Sequence, residues 1–189
     1  MLMKRRQFLT GAMAAVLLPA TARAEAILGD DGLYHEPWFL QSFLDLAEDL
    51  ENARKDGKRF AIMWELRGCP YCKETHLVNF AQPRITDYVR ANFEILQLNI
   101  LGSRKVTDFD GTEATEKELA LKYGVRFTPT LQFFPENAGA LKGQAATKRE
   151  VARAPGYMRP DDFLAMFRYV REKAYDSKSF RDFLKSQQS

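Results

Sequence analysis

The chain has two cysteines, and both lie in Cys69-Pro70-Tyr71-Cys72. Two intervening residues bring the sulfurs within bonding reach when a helix begins at Pro70. That arrangement favours redox chemistry. Cys69 then sits at a helix N-terminus, where free N–H groups and the positive end of the dipole stabilise a thiolate. The thiolate is the nucleophile of disulfide exchange, and a C-x-x-C setting lowers the thiol pKa. Cys72, one turn further in, is the more shielded thiol and suits the resolving role. Closing so short a loop adds little stability, which favours reversible opening. Three other readings compete: a static disulfide, an inert buried pair, and a Cys₂His₂ metal site completed by His35 and His76. The expectation is a redox-active Cys69–Cys72 pair without metal or cofactor.

The elements that must position this motif follow from periodicity. Trp38, Phe39, Phe43, Leu46 and Leu50 recur at helical spacing and predict a helix over 36–56. The apolar run from Arg59 to Leu66 reads as a buried strand, broken by Gly68 at the motif. Pro70 suits the first turn of a helix, and 73–89 is helical in character with an interruption at Pro83. Phe93 to Ile100 reads as a second central strand, and 102–111 as an exposed loop. A short helix over 116–123 ends at Gly124, a third strand runs from Thr130 to Phe134, and a hairpin or longer loop occupies 135–149. An edge strand over 150–154, a closing helix over 161–174 and a further turn or two of helix in the tail complete the chain. Strands alternating with helices predict an α/β domain, with a central mixed sheet flanked by helices on both faces. Within it Trp64 reads as core, His76 as a packed or solvated histidine rather than a tuner of the thiols, and Lys73 as a surface charge.

Composition sets the outer bounds. At 189 residues, 46% hydrophobic and 28% charged, the chain suits one ordinary domain. The net charge of +3 misleads, because four of the 28 basic residues lie in 1–24 and no acid does. The remaining 24 basic residues face 25 acidic ones, so no nucleic-acid footprint survives. Residues 1–24 read as an export signal: Lys4, Arg5 and Arg6 precede a short apolar stretch, and Ala22 and Ala24 frame a cleavage site after Ala24. Arg5-Arg6-Gln7-Phe8-Leu9 is similar to the twin-arginine pattern. The expected product is a single domain over 25–189 in the periplasm, a compartment where disulfides form.

A second constellation runs from Lys122 to Phe134, where a helix ends at Gly124 and Thr128-Pro129-Thr130 enters a strand. Taken with the cysteine motif, it makes the chain resemble the thioredoxin-fold oxidoreductases. In that family a C-x-x-C opens the first long helix after the central strand, and a "kYgv…TPT…F" segment carries a cis-proline beside it. Lys122 to Phe134 matches that segment, with Pro129 in the cis-proline place. The Cys-Pro-Tyr-Cys tetrad itself is the glutaredoxin form, and Ala154-Pro155-Gly156-Tyr157 is similar to the periplasmic thioredoxin-like and disulfide-isomerase-like branch. With Asp108 to Gly111 inserted before the short helix, the set over 36–172 is most similar to the periplasmic thioredoxins of bacterial sulfur-oxidation (Sox) gene clusters, of the SoxS/SoxW type.

The resemblance implies a thiol–disulfide oxidoreductase. Cys69 attacks, Cys72 resolves, Pro70 and Tyr71 complete the motif, and Thr128 with Pro129 forms a substrate-docking loop. It also implies a monomeric reductant kept reduced by a membrane thiol transporter of the DsbD/CcdA/SoxV kind, with the Sox sulfur-carrier protein as client. A general disulfide isomerase or oxidase, and a non-catalytic binding module on the same fold, are the alternatives. Two departures stand out. The buried acid that thioredoxins keep six residues before the first cysteine is here Met63, and the residue before Cys69 is Gly68 rather than Trp. Glu65, two residues on, shares the strand face of Met63 if the strand stays regular, which leaves a substitute role for it open.

Overall fold

The computed structural model describes residues 26–187; the export signal read over 1–24 lies outside them. In chain order the elements are β1 (Ile27–Leu28), β2 (Tyr34–His35), α1 (Leu46–Lys55), β3 (Arg59–Glu65) and α2 (Pro70–Glu74), which runs on into a π-helical segment (Thr75–Phe80). Next come α3 (Pro83–Asn92), β4 (Phe93–Asn99), β5 (Lys105–Thr107), β6 (Glu113–Thr115) and α4 (Glu116–Lys122). The last are β7 (Thr130–Phe133), β8 (Ala152–Pro155), α5 (Pro160–Arg171) and α6 (Phe180–Gln187).

The central sheet has the order β4-β3-β7-β8, with β3 parallel to β4 and the other two pairings antiparallel. Alternate residues of β3 feed opposite cores, as a period of two requires. Ala61 and Met63 join Ile85, Val89, Phe163 and Phe167 from α3 and α5. Phe60, Ile62 and Trp64 join Leu46, Leu50 and Leu119 from α1 and α4. A strand covered on both faces is apolar throughout rather than alternating, which is why RFAIMWE is buried from end to end. The result is the expected mixed sheet between two helical layers.

The helix predicted over 36–56 is shorter than its periodicity implies. Only Leu46–Lys55 is helical. Phe39 packs into the core on the α3/α5 side, whereas Leu46 and Leu50 pack into the other, and Phe43 is 99% exposed. Those apolar residues therefore do not share one helical face. Leu44 at a φ of 66° breaks the chain direction, and the Asp45 side chain caps α1 by accepting from the Ala47 and Glu48 N–H groups, both at 3.0 Å. The loop predicted over 102–111 contains β5, paired antiparallel with β6; three-residue strands are too short to show a period. The edge strand expected at 150–154 falls at 152–155. Among the described residues, no helix is long and apolar enough to cross a membrane.

Candidate active site

The strand β3 delivers the chain to one end of the sheet, where Gly68 at a φ of 73° makes a turn that an L side chain would strain. Cys69 then caps α2: its sulfur accepts from the Cys72 N–H at 3.1 Å, and Pro70 occupies the first helical position, where a missing N–H costs nothing. Cys69 and Cys72 form a disulfide with Cα atoms 5.3 Å apart. Cys69 is half-buried and Cys72 is buried. The two sulfurs are thus unequal in access, in the sense read from the sequence.

The other residues of the motif and the docking loop gather around this pair. The Thr128–Pro129 peptide bond is cis. The Thr128 hydroxyl lies 3.4 Å from Cys69 Sγ and donates to it, and the Pro129 carbonyl accepts from Gly156 N–H at 2.7 Å. Tyr71 is exposed and stacks on Tyr157, with ring centres 6.0 Å apart. Phe127, next to Thr128, is exposed as well. On the other side of the disulfide, a cleft of about 400 Å³ is lined by Leu28, Leu33, Tyr34, Glu65, Cys69 and Cys72, with Lys73 exposed at its rim.

Beneath that cleft lies a charged trio. His76, fully buried, faces Glu36 through Nδ1 at 3.0 Å and Glu65 through Nε2 at 3.0 Å. Glu36 and Glu65 are buried too. Trp38 Nε1 donates to Glu36 at 3.1 Å, and the Gln97 amide donates to Glu65 and, at 2.7 Å, to the Tyr34 carbonyl. Burial works against a charge on His76, but the hydrogen bonds to the two carboxylates outweigh it and push its pKa up to about 9. The ring is therefore an imidazolium at neutral pH, donating from both nitrogens.

His76 is packed, as one of its two sequence readings had it, but within an ionic network. Glu65 does fall on the face of Met63, since its partner His76 packs against Phe39 and Phe80 of the same core. Trp64 is fully buried and donates from Nε1 to Gln132 at 2.9 Å. Sequence reasoning missed Glu36 as a site residue: it sits 29 positions before Glu65 and was placed at the start of a helix that does not form there. Among the described residues no cluster of His, Cys, Asp and Glu is arranged to hold a metal ion; His35 bonds instead to Asp31 at 2.9 Å.

Comparison with known proteins agrees with this geometry. The family model of a thioredoxin-like domain matches residues 46–171. No curated protein matches the chain in sequence. Among solved structures, a thioredoxin-fold protein from Helicobacter pylori superposes with a TM-score of 0.58 at 20% identity, over 79% of this chain and 87% of that one. A thioredoxin from Thermus thermophilus has a TM-score of 0.48 at 24% identity, over 67% and 83%. The periplasmic thioredoxin SoxS from Paracoccus pantotrophus has a TM-score of 0.37 at 20% identity, over 62% and 99%. Of these, the Helicobacter protein bears on the fold.

Proposed function

The chain belongs to the thioredoxin-like family, and from that premise we propose that it is a thiol–disulfide oxidoreductase working through Cys69 and Cys72. The observation that carries the reading is the asymmetry of the disulfide: Cys69 half-open at the cap of α2, Cys72 buried one turn inside. In the reduced protein the Cys72 N–H that points at Cys69 Sγ favours a Cys69 thiolate, as does the positive end of the helix. That thiolate attacks a client disulfide and forms a mixed disulfide. Cys72 then attacks Cys69 Sγ and expels the client thiol, so the protein is oxidised and the client reduced by two electrons. The exposed Tyr71 within the motif and the exposed Phe127 next to Thr128, whose hydroxyl reaches Cys69 Sγ, supply an apolar docking surface for an extended protein segment.

The finer reading is a monomeric periplasmic reductant, exported by the twin-arginine route and cleaved after Ala24. Its electrons come from a membrane thiol transporter of the DsbD/CcdA/SoxV kind, and its client is the sulfur-carrier protein of a Sox system. The Arg5-Arg6 signal and the Asp108 to Gly111 insertion support that reading. Reduction of insulin by dithiothreitol tests the activity: the protein accelerates it, and Cys69→Ser abolishes the acceleration. Trapping with Cys72→Ser in periplasm tests the client. Capture of a sulfur carrier through Cys69 upholds it, whereas a broad set of unrelated secreted proteins replaces it with a general disulfide-handling role.

A further inference from the structure

The cleft beside the disulfide is a built feature rather than a gap in packing. Its lining comes from two sources: the motif, through Cys69, Pro70 and Cys72, and the β1–β2 hairpin, through Leu28, Leu33 and Tyr34. The hairpin is fastened to its surroundings. Gln97 of β4 donates to the Tyr34 carbonyl at 2.7 Å, and Arg67 donates to the Asp30 carbonyl at 3.0 Å. Gly32, at a φ of 78°, lies so close to the Arg67 side chain that a Cβ there would collide with it. A chain that only had to cover this end of the sheet would fill the space with side chains, since interiors pack to crystal density. Here about 400 Å³ stays open, within the size range of small-molecule sites, and Leu28 stands 58% exposed in its lining. Tyr71, Phe127, Thr128 and Pro129, the residues of the protein-docking surface, do not line it.

The lining also specifies a chemistry. Leu28, Leu33 and Pro70 offer apolar contact, and Lys73 puts an exposed ammonium at the rim. Arg67, packed on Gly32 of the same lining, adds a guanidinium. Glu65 is the one carboxylate in the lining, and it is buried and already bound to His76 and Gln97. We infer that this cleft binds low-molecular-weight aliphatic disulfides that carry a carboxylate, and that the reduced protein cleaves them there; this rests on the redox function proposed above. The alkyl chain lies on Leu28, Leu33 and Tyr34, the carboxylate pairs with Lys73, and the ligand's disulfide bond meets Cys69. The Cys69 thiolate attacks the nearer ligand sulfur. A bond from Cys69 Sγ to that sulfur forms, the ligand's own S–S bond breaks, and the first half leaves as a thiolate. Cys72 loses its proton to solvent and attacks Cys69 Sγ. The internal disulfide closes, and the second half leaves as a thiolate. The ligand gains two electrons and becomes two thiols, and the cysteine pair loses two.

The test sets a series of symmetrical acids, dithiodiacetate, dithiodipropionate and dithiodibutyrate, against the cationic disulfide cystamine. Oxidation of the reduced full-length protein is followed by acid quench and chromatographic separation of the reduced and oxidised forms. Each rate constant is divided by that of dithiothreitol with the same disulfide, which removes differences in intrinsic reactivity. The ratio is expected to rise about fourfold with each methylene added per half, the factor for burying one CH₂. For dithiodibutyrate it should exceed that for cystamine about tenfold or more. Lys73→Met lowers the dithiodibutyrate ratio about threefold, as loss of an exposed ion pair does, and leaves cystamine unchanged. Leu28→Asp lowers the dithiodibutyrate ratio about tenfold, through lost apolar contact and like charge, while insulin reduction stays within about twofold of wild type. Ratios that are flat across the three acids, or a cystamine ratio equal to that of dithiodibutyrate, overturn the inference. So does a Leu28→Asp protein that loses insulin reduction as fully as dithiodibutyrate reduction, because the cleft then serves protein clients. If Leu28→Asp does not fold, the wild-type series decides alone. A wild-type protein that reduces neither insulin nor any of the four disulfides defeats the redox reading itself rather than this assignment.

Discussion

Two charge clusters tie this molecule together on opposite principles, one buried throughout and one that buries Asp108 and Arg149 but leaves Asp110 and Lys122 exposed. One is Glu36–His76–Glu65 beside the disulfide. The other joins Asp108, Asp110, Lys122, Tyr123 and Arg149 where the β5–β6 connection meets α4 and the long 135–149 loop. There Arg149 reaches Asp108 at 2.9 Å and Asp110 at 2.8 Å, Tyr123 donates to Asp108 at 2.7 Å, and Lys122 bonds both aspartates. Its two anions face two cations. The active-site cluster is unbalanced, two anions to one cation, and its two carboxylates push the histidine pKa up to about 9, so it stays charged through neutrality. A balanced set of permanent ions fastens loops. The unbalanced set holds a buried imidazolium between two carboxylates, and its Glu65 lines the same cleft as both cysteines.

The comparison can be broken most sharply at Arg149. Arg149→Met removes the buried cation from the fully buried Asp108, which keeps Lys122 and Tyr123, and should cost about 1–3 kcal/mol in denaturant unfolding, while the folded fraction exchanges disulfides at the wild-type rate. A loss of exchange rate per folded molecule would show that the two clusters are coupled. A pH series on the oxidised protein, in which neither cysteine titrates, separates them next. The His76 pKa is raised from 6.5 to about 9, so its contribution is complete below about pH 6.5 and is lost as pH rises through about 9. That is at most ~3 kcal/mol, and His76→Gln should flatten the alkaline slope. Arg149 and Thr112 hold the Asp110 carboxyl well below its usual range. Its contribution is therefore present above about pH 4 and lost as pH falls. Unfolding that steepens in acid but not in alkali would contradict the assignment of His76. Glu36→Gln follows, at about 1–3 kcal/mol for a buried partner left unpaired in the same unfolding assay. Lys122→Met is the mildest. Lys122 is partly exposed and Arg149 still holds both aspartates, so about 1 kcal/mol or less is expected in the same unfolding assay.

What the sequence could announce, and what it could not, divides along the range of the interactions. The motif, its strand and its helix are local: Cys69 to Cys72, the apolar run of β3 and the cap at Pro70 are written within a few residues of one another. The sheet and both helical layers follow from such local patterns. Glu65 stood out because it flanks the motif. Glu36 carried no such sign, since a glutamate before Pro37 looks like any loop acid until the fold brings it to His76, 40 residues on. The helix read over 36–56 failed for a related reason. Trp38 and Phe39 match the spacing of Leu46 and Leu50 by coincidence, and only the tertiary structure sends them to opposite sides of the sheet. Asp45 was the missed local clue, an N-cap in the middle of the supposed helix. Likewise Arg149 and Asp108 lie 41 residues apart, and nothing in either segment marks them as partners.

The hairpin has a consequence for where the working unit begins. The recognisable family segment opens at residue 46, yet Tyr34 walls the cleft and Glu36 holds His76 from residues upstream of it. A chain excised at that boundary would keep both cysteines, the cis bond and the whole central sheet, and would still be classified correctly. It would also expose His76 and the Phe39 site to solvent and open one side of the cleft. The smallest fragment that carries the fold is thus not the smallest fragment that carries the complete cleft.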